Sequence, residues 1–334
     1  MKYSYLILVV FFNLILNPLH AEIERRAAID VGSGGTKVLI ADVDIDTKQI
    51  IQVVYENSFP VPYQSALDRS ADGTFDQTTR DLGLKTFKQV KEIADQHQVQ
   101  RIAAVATSAF RKSNNAVEFV TQVNSETAIN LKIIPQKEEG EIAFYSAVST
   151  GKFHEDEMLV WDIGTGSQQL TTTNDNHQLI VYMGETMGSI EFKNYIINII
   201  QDFDSDEITT PNPISSTELK VADSYARAFG RKAFPLIKSK IKNHVTVVGI
   251  GRLFFNSIRP LASEDGVITR DGLRAYISAA MNKTDGDLNN PYANVDVPNC
   301  ILVLAIMKSL HIQEVYPLET TSTRGLLVNP TYWE

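Results

Sequence analysis

The chain has 334 residues, of which 43% are hydrophobic and 21% are charged. These values are ordinary for a globular protein and exclude a disordered, collagen-like or coiled-coil chain. With 31 Lys and Arg against 40 Asp and Glu, the net charge is −9, which makes general nucleic-acid binding unfavourable. An anionic ligand would therefore need local backbone donors and a few well-placed cations.

The N-terminus has the layout of a secretory signal peptide, residues 1–21. Lys2 is the only charged residue before Glu22, residues 6–16 are apolar apart from Asn13, and the small residue Ala21 ends the segment. This apolar run is shorter than the ~20 residues of a transmembrane helix. We therefore expect cleavage near Ala21/Glu22, a periplasmic or secreted mature protein, and no membrane attachment after cleavage.

Strand-like and helix-like runs alternate along the mature chain, which predicts an α/β fold. Three strands joined by short turns predict an antiparallel start. The predicted strands are Arg26–Asp30, Lys37–Ala41, Ile50–Tyr55, Ile102–Ala106, Leu131–Ile134, Met158–Ile163, Val245–Val248 and Glu314–Pro317. The predicted helices are Leu82–Asp95, Ala116–Val123, Glu138–Val148, Ile190–Ile200, Ser216–Phe229 and Cys300–Leu310. Cys300 is the single cysteine, so the chain cannot form an internal disulfide.

The opening of the mature chain recurs later in the sequence. Asp30–Gly34 (DVGSG) is echoed by Asp162–Gly166 (DIGTG), each after an apolar strand and before another strand-like stretch. This repeat predicts an internal duplication with one copy in each of two lobes.

Glycine-rich turns of this kind suit phosphate binding. Glycine has no Cβ, so a phosphate can approach the backbone, and successive N–H groups form an anion-binding concavity. The aspartate cannot bind phosphate, but its carboxylate suits Mg²⁺ or a positioned water. One such loop is as readily a structural hairpin, whereas two matched loops favour a cleft that holds phosphate from both sides.

Several motifs in this order resemble the exopolyphosphatase / guanosine-pentaphosphate phosphatase (Ppx/GppA) family, within the actin-like ATPase superfamily of sugar kinases, heat-shock chaperones and actin. The resemblance runs from about Ala27 to Leu327. The motifs are Asp30–Thr36 (DVGSGGT), Ala106–Arg111 (ATSAFR) with Asn115, Lys137–Gly140 (KEEG), Asp162–Ser167 (DIGTGS), Met187–Ile190 (MGSI) and Val248–Gly251 (VGIG).

The resemblance implies a two-lobed, actin-like (ribonuclease H-like) duplicated α/β fold. Lobe I would comprise residues 22–136 with 318–334, and lobe II residues 137–317. It implies that Glu139 is the catalytic base and that Asp162 is a second catalytic residue. It also implies a Mg²⁺ cofactor bound by Asp162 and Asp30, with Gln169 at a position that is usually Glu.

The same resemblance implies a set of phosphate-binding residues in the three glycine-rich loops, together with Arg111 as a phosphate clamp. Lys37 is a further candidate of lower rank. The implied set is Gly32, Ser33, Gly34, Gly35, Thr36, Arg111, Gly164, Thr165, Gly166, Ser167, Gly249 and Gly251.

The sequence also departs from the family pattern. Thr165 replaces a glycine of the second loop, and Gln169 replaces a glutamate, which lowers the expected metal affinity. Arg252 stands where the third loop usually has glycine, so it either contacts phosphate or closes the cleft. The pair at residues 298–299, Pro-Asn, replaces the usual Ala-Gly.

Three functional hypotheses remain open at this point. The first is an exported phosphoanhydride hydrolase that releases terminal phosphate from polyphosphate or a nucleotide polyphosphate. The second is a catalytically weakened or inactive sensor that binds a phosphate chain or nucleotide, favoured by Gln169 and Arg252. The third is an ATP user of the actin or sugar-kinase type. No nucleic-acid partner is expected, and a homodimer is left open.

The signal-peptide interpretation predicts where the native protein begins. Edman sequencing or intact-mass measurement of the protein from its native cell should place the N-terminus near Glu22 in the extracytoplasmic fraction. A native chain that begins at Met1 in the cytoplasmic fraction would contradict both the cleavage and the export.

Overall fold

The structure, a computed structural model, describes residues 22–184 and 186–333. The predicted signal peptide, residues 1–21, lies outside the described residues. The described chain forms two β-sheets with helices packed against both, which is the α/β organisation that the sequence predicts.

Five strands form the first sheet: β1 Ile23–Gly32, β2 Gly35–Asp44, β3 Gln49–Pro60, β4 Arg101–Ala106 and β5 Leu131–Ile133. Their order is β3-β2-β1-β4-β5. The first three strands are antiparallel, as their short connecting turns predict. The other two strands are parallel to β1, because helical crossovers connect them.

Seven strands form the second sheet: β6 Met158–Ile163, β7 Gln168–Thr173, β8 Leu179–Gly184, β9 Thr246–Ile250, β10 Ser263–Glu264, β11 Val267–Thr269 and β12 Glu314–Pro317. Their order is β10-β11-β12-β9-β6-β7-β8. Again the first three strands are antiparallel, and β9 and β12 continue the sheet in parallel.

The two sheets repeat one topology, because β3-β2-β1-β4-β5 corresponds to β8-β7-β6-β9-β12. The register repeats as well: Asp30 lies opposite Lys37 in the first hairpin, and Asp162 lies opposite Gln169 in the second. The internal duplication predicted from the two loops is therefore present in the strand order. Only β10 and β11 extend the second sheet beyond the repeat.

Thirteen α-helices connect and cover the sheets in the described chain. Good N-caps begin several of them: Asp76 accepts from the Thr79 N–H at 2.7 Å, and Ser215 forms a capping box with Glu218. The helices are α1 Tyr63–Asp68, α2 Gln77–Gln96, α3 Ser108–Lys112, α4 Ala116–Thr127, α5 Gln136–Val148, α6 Ser189–Tyr195, α7 Ser216–Arg231, α8 Pro235–Lys242, α9 Arg259–Ala262, α10 Arg270–Ala280, α11 Asp285–Leu288, α12 Ala293–Leu310 and α13 Ser322–Val328.

Helix α12 is longer than the sequence predicts, since it begins at Ala293 rather than near Cys300. Pro298 explains the difference: proline usually breaks a helix interior, but here it lies inside α12. Of the described helices, this one is long and apolar enough to cross a membrane, yet 78% of its apolar window is buried in the molecule. It is the central helix of the core beside the second sheet.

Helices α5 and α13 lie between the two sheets. Ile142 of α5 belongs to the same apolar cluster as Leu326 of α13 and residues of the first sheet. The neighbouring Phe144 instead packs with Met158 and Val248 of the second sheet. Helix α5 therefore contacts both halves of the duplication. The division of the chain into lobes at residues 136/137 and 317/318 stays a prediction.

The contact between α5 and α13 leaves no room for a side chain at Gly325. A Cβ at Gly325 would lie 1.9 Å from the Ile142 carbonyl oxygen and 2.5 Å from the Ser146 hydroxyl. Because the obstacle at Ile142 is backbone, the two helices would have to separate.

We therefore expect Gly325→Ala to lower the free energy of unfolding by about 1–3 kcal/mol, the usual cost of overpacking. Urea denaturation would measure the change. Gly286→Ala is the matched control, because a Cβ there meets nothing closer than 3.7 Å. Equal unfolding midpoints for the two variants would show that α5 and α13 are not tightly packed in solution.

Candidate active site

A cavity of about 720 Å³ lies between the two glycine-rich loops. Asp30 and Asp162, at equivalent positions of β1 and β6, both line it, as do Lys37 and Glu139. The two halves of the repeat thus contribute to one cleft. Backbone and side chains of both loops complete its wall: Gly32, Ser33, Gly34, Gly35, Gly164, Thr165, Gly166 and Ser167.

The first loop is a tight turn between β1 and β2, where Gly32 pairs with Gly35. Gly35 has φ +155°, and a Cβ there would lie 2.3 Å from the Phe59 carbonyl oxygen, so only glycine fits. Thr36, by contrast, is fully buried and does not line the cavity. Side chains alternate along a strand, and Lys37 faces the cavity. The structure therefore does not bring the Thr36 side chain to the predicted phosphate site.

The second loop connects β6 to β7 and is held by the start of α6. The N–H of Gly164 donates to the Ser167 carbonyl at 2.9 Å, and the N–H of Ser189 donates to the Gly164 carbonyl at 2.9 Å. A Cβ at Gly188 would lie 2.5 Å from the Thr165 carbonyl oxygen, so the chain approaches this loop closely. Thr165, the departure from the family pattern, is exposed and lines the cavity.

Contacts between residues on the two sides of the cleft hold the loops near each other. A Cβ at Gly166 would lie 2.9 Å from the Ser108 hydroxyl, which follows β4 of the first sheet. Lys112 and Glu191 form an ion pair at 2.8 Å between α3 and α6. The structure therefore has a narrow cleft rather than two separated loops.

Glu139 lies near the N-terminus of α5, and its carboxylate contacts the Arg111 guanidinium at 3.0 Å. Arg111 also donates to the Ile134 carbonyl at 3.2 Å and does not line the cavity. The structure thus places Arg111, predicted as a phosphate clamp, behind the predicted base. In this geometry Arg111 orients the Glu139 carboxylate and stabilises its charged form.

Three of the carboxylates that line the cavity, Asp30, Glu139 and Asp162, lie close enough for their charges to interact, and the pKa values of Glu139 and Asp162 are raised. The pKa of Asp162 is raised to about 7, chiefly by burial and also by the charges of Glu139 and Asp30, while Lys37 acts in the opposite direction. Burial also raises the pKa of Glu139, and the Arg111 charge partly reverses that effect. Lys37 contacts Asp30 at 3.3 Å. The cavity therefore favours binding of a cation beside these groups.

The third loop follows β9. Gly251, at φ +84°, lies against Asp162, since a Cβ there would be 3.3 Å from an Asp162 carboxylate oxygen. Gly249 does not line the cavity; a Cβ there would lie 2.5 Å from the Phe254 ring, so its role is packing. Arg252 is exposed and does line the cavity.

Gln169 is 1% exposed and is separated from the cavity lining. Its amide nitrogen donates to the Ser167 hydroxyl at 3.4 Å, and its amide oxygen has no hydrogen-bond partner in the described part of the chain. The neighbouring Gln168 has a structural role, because it accepts from the Trp161 indole at 2.9 Å and donates to the Met187 carbonyl at 2.8 Å.

The sequence analysis missed two groups of cavity residues. Ser322, at the start of α13, donates to the Asp30 carboxylate. A buried polar chain joins α6, the segment after Arg252, and α12: Asn299 accepts from Ser189, Asn299 donates to Ser257 at 3.1 Å, and Ser257 donates to Asp296. Asp296, a buried acid in an apolar helix, was the available signal for the second group.

Comparison with known proteins identifies the family. A family model described as the Ppx/GppA phosphatase family matches residues 39–331. The chain belongs to the Ppx/GppA phosphatase family. The match begins within β2, so the placement of the first loop rests on the geometry described above.

The named proteins to which this Ppx/GppA family chain is similar in sequence are distant relatives. It is 30% identical over 154 residues to a bifunctional 3-dehydroquinate synthase/phosphatase of Fusobacterium nucleatum, a match that covers 45% of this chain and 23% of that protein. It is 24% identical over 160 residues to exopolyphosphatase 1 of Mycobacterium leprae, covering 45% and 43% respectively. The chain thus matches less than half of the length of each of these relatives.

A solved structure of an Aquifex aeolicus Ppx/GppA family member superimposes with a TM-score of 0.73 at 19% identity, covering 93% of this chain and 98% of that one. An exopolyphosphatase of Cytophaga hutchinsonii superimposes with a TM-score of 0.67 at 17% identity. At these identities the likeness shows the fold. The two-lobed, actin-like fold predicted from the sequence is confirmed.

The family implies a divalent metal, and the donor set of this cavity fits Mg²⁺. Magnesium is usually held by one or two carboxylates, water and substrate phosphates rather than by a cage of protein ligands. Asp162 and Asp30 supply such carboxylates. Within residues 22–184 and 186–333 there is no group of three or more His, Cys, Asp or Glu arranged to hold a metal without substrate. Gln169 pairs with Asp162 in the hairpin but lies outside the cavity lining, and its amide oxygen has no hydrogen-bond partner among the described residues.

This arrangement predicts that Gln169→Glu couples stability to Mg²⁺. A second carboxylate beside Asp162 would be buried without a partner, so we expect the free energy of unfolding without metal to fall by about 1–3 kcal/mol. Mg²⁺ at about 100 times its Kd would return about 2.7 kcal/mol. Thermal or urea unfolding with and without Mg²⁺ measures both effects.

The matched control is Gln52→Glu, because Gln52 also lies opposite an aspartate, Asp42, in an antiparallel hairpin but is exposed. We expect little change in the free energy of unfolding of this variant and the same stabilisation by Mg²⁺ as in the wild type, because Asp162 and Asp30 are intact. If Mg²⁺ stabilises Gln169→Glu no more than it stabilises Gln52→Glu, the side chain at position 169 does not contribute to a metal site beside Asp162.

Proposed function

We propose that this protein is a phosphoanhydride hydrolase that releases the terminal phosphate of polyphosphate. The observation that carries the proposal is the Glu139 carboxylate, held by Arg111 at the wall of a cavity between two glycine-rich loops. Family membership supports hydrolysis, and the names of the relatives include an exopolyphosphatase. A nucleotide polyphosphate is the second substrate class that this chemistry permits.

The proposed reaction is attack of water on the terminal phosphorus. Glu139 accepts a proton from the attacking water, an oxygen–phosphorus bond forms, and the bond to the bridging oxygen breaks. The shortened phosphate chain leaves with the electrons of that bond. Backbone N–H groups of the two loops, with the hydroxyls of Ser33, Thr165 and Ser167, would hold the non-bridging oxygens.

Mg²⁺, bound by Asp162 and Asp30, would neutralise part of the charge on the transferred phosphoryl group. Lys37 and Ser322 both donate to Oδ2 of Asp30, so the orientation of that carboxylate does not depend on substrate. We further propose that the enzyme acts in the periplasm or outside the cell. That location favours polyphosphate over nucleotides, because nucleotide polyphosphates are cytoplasmic.

A second candidate is a sensor that binds the phosphate chain without turnover. The buried neutral amide of Gln169, where the family usually has a carboxylate, favours it because one metal-binding charge is missing. The two candidates share the cavity and differ only in whether Glu139 has an attacking water to deprotonate.

The decisive variant is Glu139→Gln. If Glu139 is the base, kcat for phosphate release from long-chain polyphosphate should fall by about 10²–10⁴ while binding survives. The same substitution at Glu141, two residues along α5 and paired with Lys137 outside the cavity, should leave kcat nearly unchanged.

The outcomes separate the candidates. Wild-type turnover that Glu139→Gln does not alter would remove Glu139 as the base. A wild type that binds polyphosphate with Mg²⁺ but releases no phosphate would support the sensor and overturn the hydrolase.

A further inference from the structure

The cavity has an unfavourable charge balance for a polyanionic ligand. Among the described residues that line it, the carboxylates are Asp30, Glu139, Asp162 and Asp296, and the cations are Lys37 and Arg252. Lys37 is already paired with Asp30 at 3.3 Å. Binding a phosphate chain therefore requires positive charge that the protein has not already used.

Arg252 is the cation of this wall that remains available. Its guanidinium has no hydrogen bond or ion pair with any described residue, although the chain is rich in acids. It is exposed, and it follows Gly251, whose backbone lies against the Asp162 carboxylate. A guanidinium that lines a cleft and has no carboxylate partner keeps its donors free for an anionic ligand.

The main cavity, which Arg252 lines, borders a second recess. Asn256 and Tyr292 line the main cavity and this second recess of about 370 Å³, so the two spaces share a wall. A chain whose terminal phosphoryl group lies between the loops at Glu139 needs such a path for its remaining phosphates. Arg252 lines the main cavity, and the Asp296 carboxylate on the shared wall accepts hydrogen bonds from Ser257 and Asn290.

We propose that Arg252 binds the phosphates behind the terminal one and so sets the preference for long phosphate chains. A guanidinium can grip two phosphoryl oxygens of one phosphate or bridge neighbouring phosphates. This inference rests on the proposed function for the position of the terminal phosphate. It assigns Arg252 to substrate binding and specificity, with no part in the proton transfer at Glu139.

The opposite role, obstruction of the cleft by a bulky side chain, makes contrary predictions. If Arg252 binds the chain, Arg252→Ala and Arg252→Gly should both raise KM for long-chain polyphosphate about tenfold, the loss expected for one charge-assisted contact. The kcat should stay within about twofold, because the ion-pair partner of the Glu139 carboxylate is Arg111 and not Arg252. If Arg252 obstructs, the same variants should lower KM or raise kcat.

Direct binding tests the inference without turnover. In the Glu139→Gln background, the Kd of inorganic long-chain polyphosphate would be measured by calorimetry with Mg²⁺, with and without Arg252→Ala. We expect about a tenfold weaker Kd and a shallower salt dependence. Arg252→Lys should recover part of the affinity, because it keeps the charge and loses the fork.

Arg259→Ala is the matched control, because Arg259 is also exposed on the same segment but lies over the Phe255 ring, outside the cavity. It should leave KM and Kd unchanged. If Arg252→Ala and Arg259→Ala weaken polyphosphate binding equally, the effect comes from the change in net charge, and the proposal is overturned.

Failure of the Arg252 inference can be distinguished from failure of the proposed function. Wild-type hydrolysis with KM and Kd unaffected by Arg252→Ala overturns the role of Arg252 and leaves the proposed function intact. Absence of both turnover and polyphosphate binding in the wild type overturns the function and this inference together.

Discussion

The site depends on one electrostatic constraint: three carboxylates are gathered in a cleft whose proposed ligand is itself a polyanion. Burial, together with the charges of Glu139 and Asp30, raises the pKa of Asp162 to about 7. Lys37, which contacts Asp30, and Arg111, which contacts Glu139, each offset part of this negative charge. The remaining attraction for phosphate must come from backbone N–H groups, a metal ion and Arg252.

The packing between the sheets converts this constraint into a defined geometry. Helix α5 carries Glu139 and touches both sheets, while α13 brings Ser322 to Asp30 and lies against α5 at Gly325. Because the two helices meet backbone to backbone, the base and the Asp30 carboxylate are positioned by the same contact. Changes at this contact would therefore alter stability and the site together.

Much of the fold was predictable from local patterns, because the two Asp-x-Gly-x-Gly loops and their strands are strong, repeated signals. The side-chain directions were harder. Thr36 is buried because it alternates with Lys37 along β2, which a strict two-residue period could have indicated. The role of Arg111 depends on the approach of α5 to α3, a tertiary contact that no local pattern contains. The start of α12 was not predicted, because a proline such as Pro298 is typical of a helix break and not of a helix interior.

The duplication relates the two unusual positions of the site to each other. In the first hairpin Asp30 lies opposite a cation, Lys37; in the second, Asp162 lies opposite the neutral Gln169. The resemblance to the family places a glutamate at the latter position and a glycine at Arg252. Taken singly, the first difference would be expected to weaken a metal site and the second to narrow a cleft. Taken together, one removes a negative charge near Asp162 and the other adds a positive charge beside Gly251. Under that resemblance, both differences would make the surroundings of Asp162 less negative, and they would act on the two strand ends, β6 and β9, that lie side by side in the second sheet.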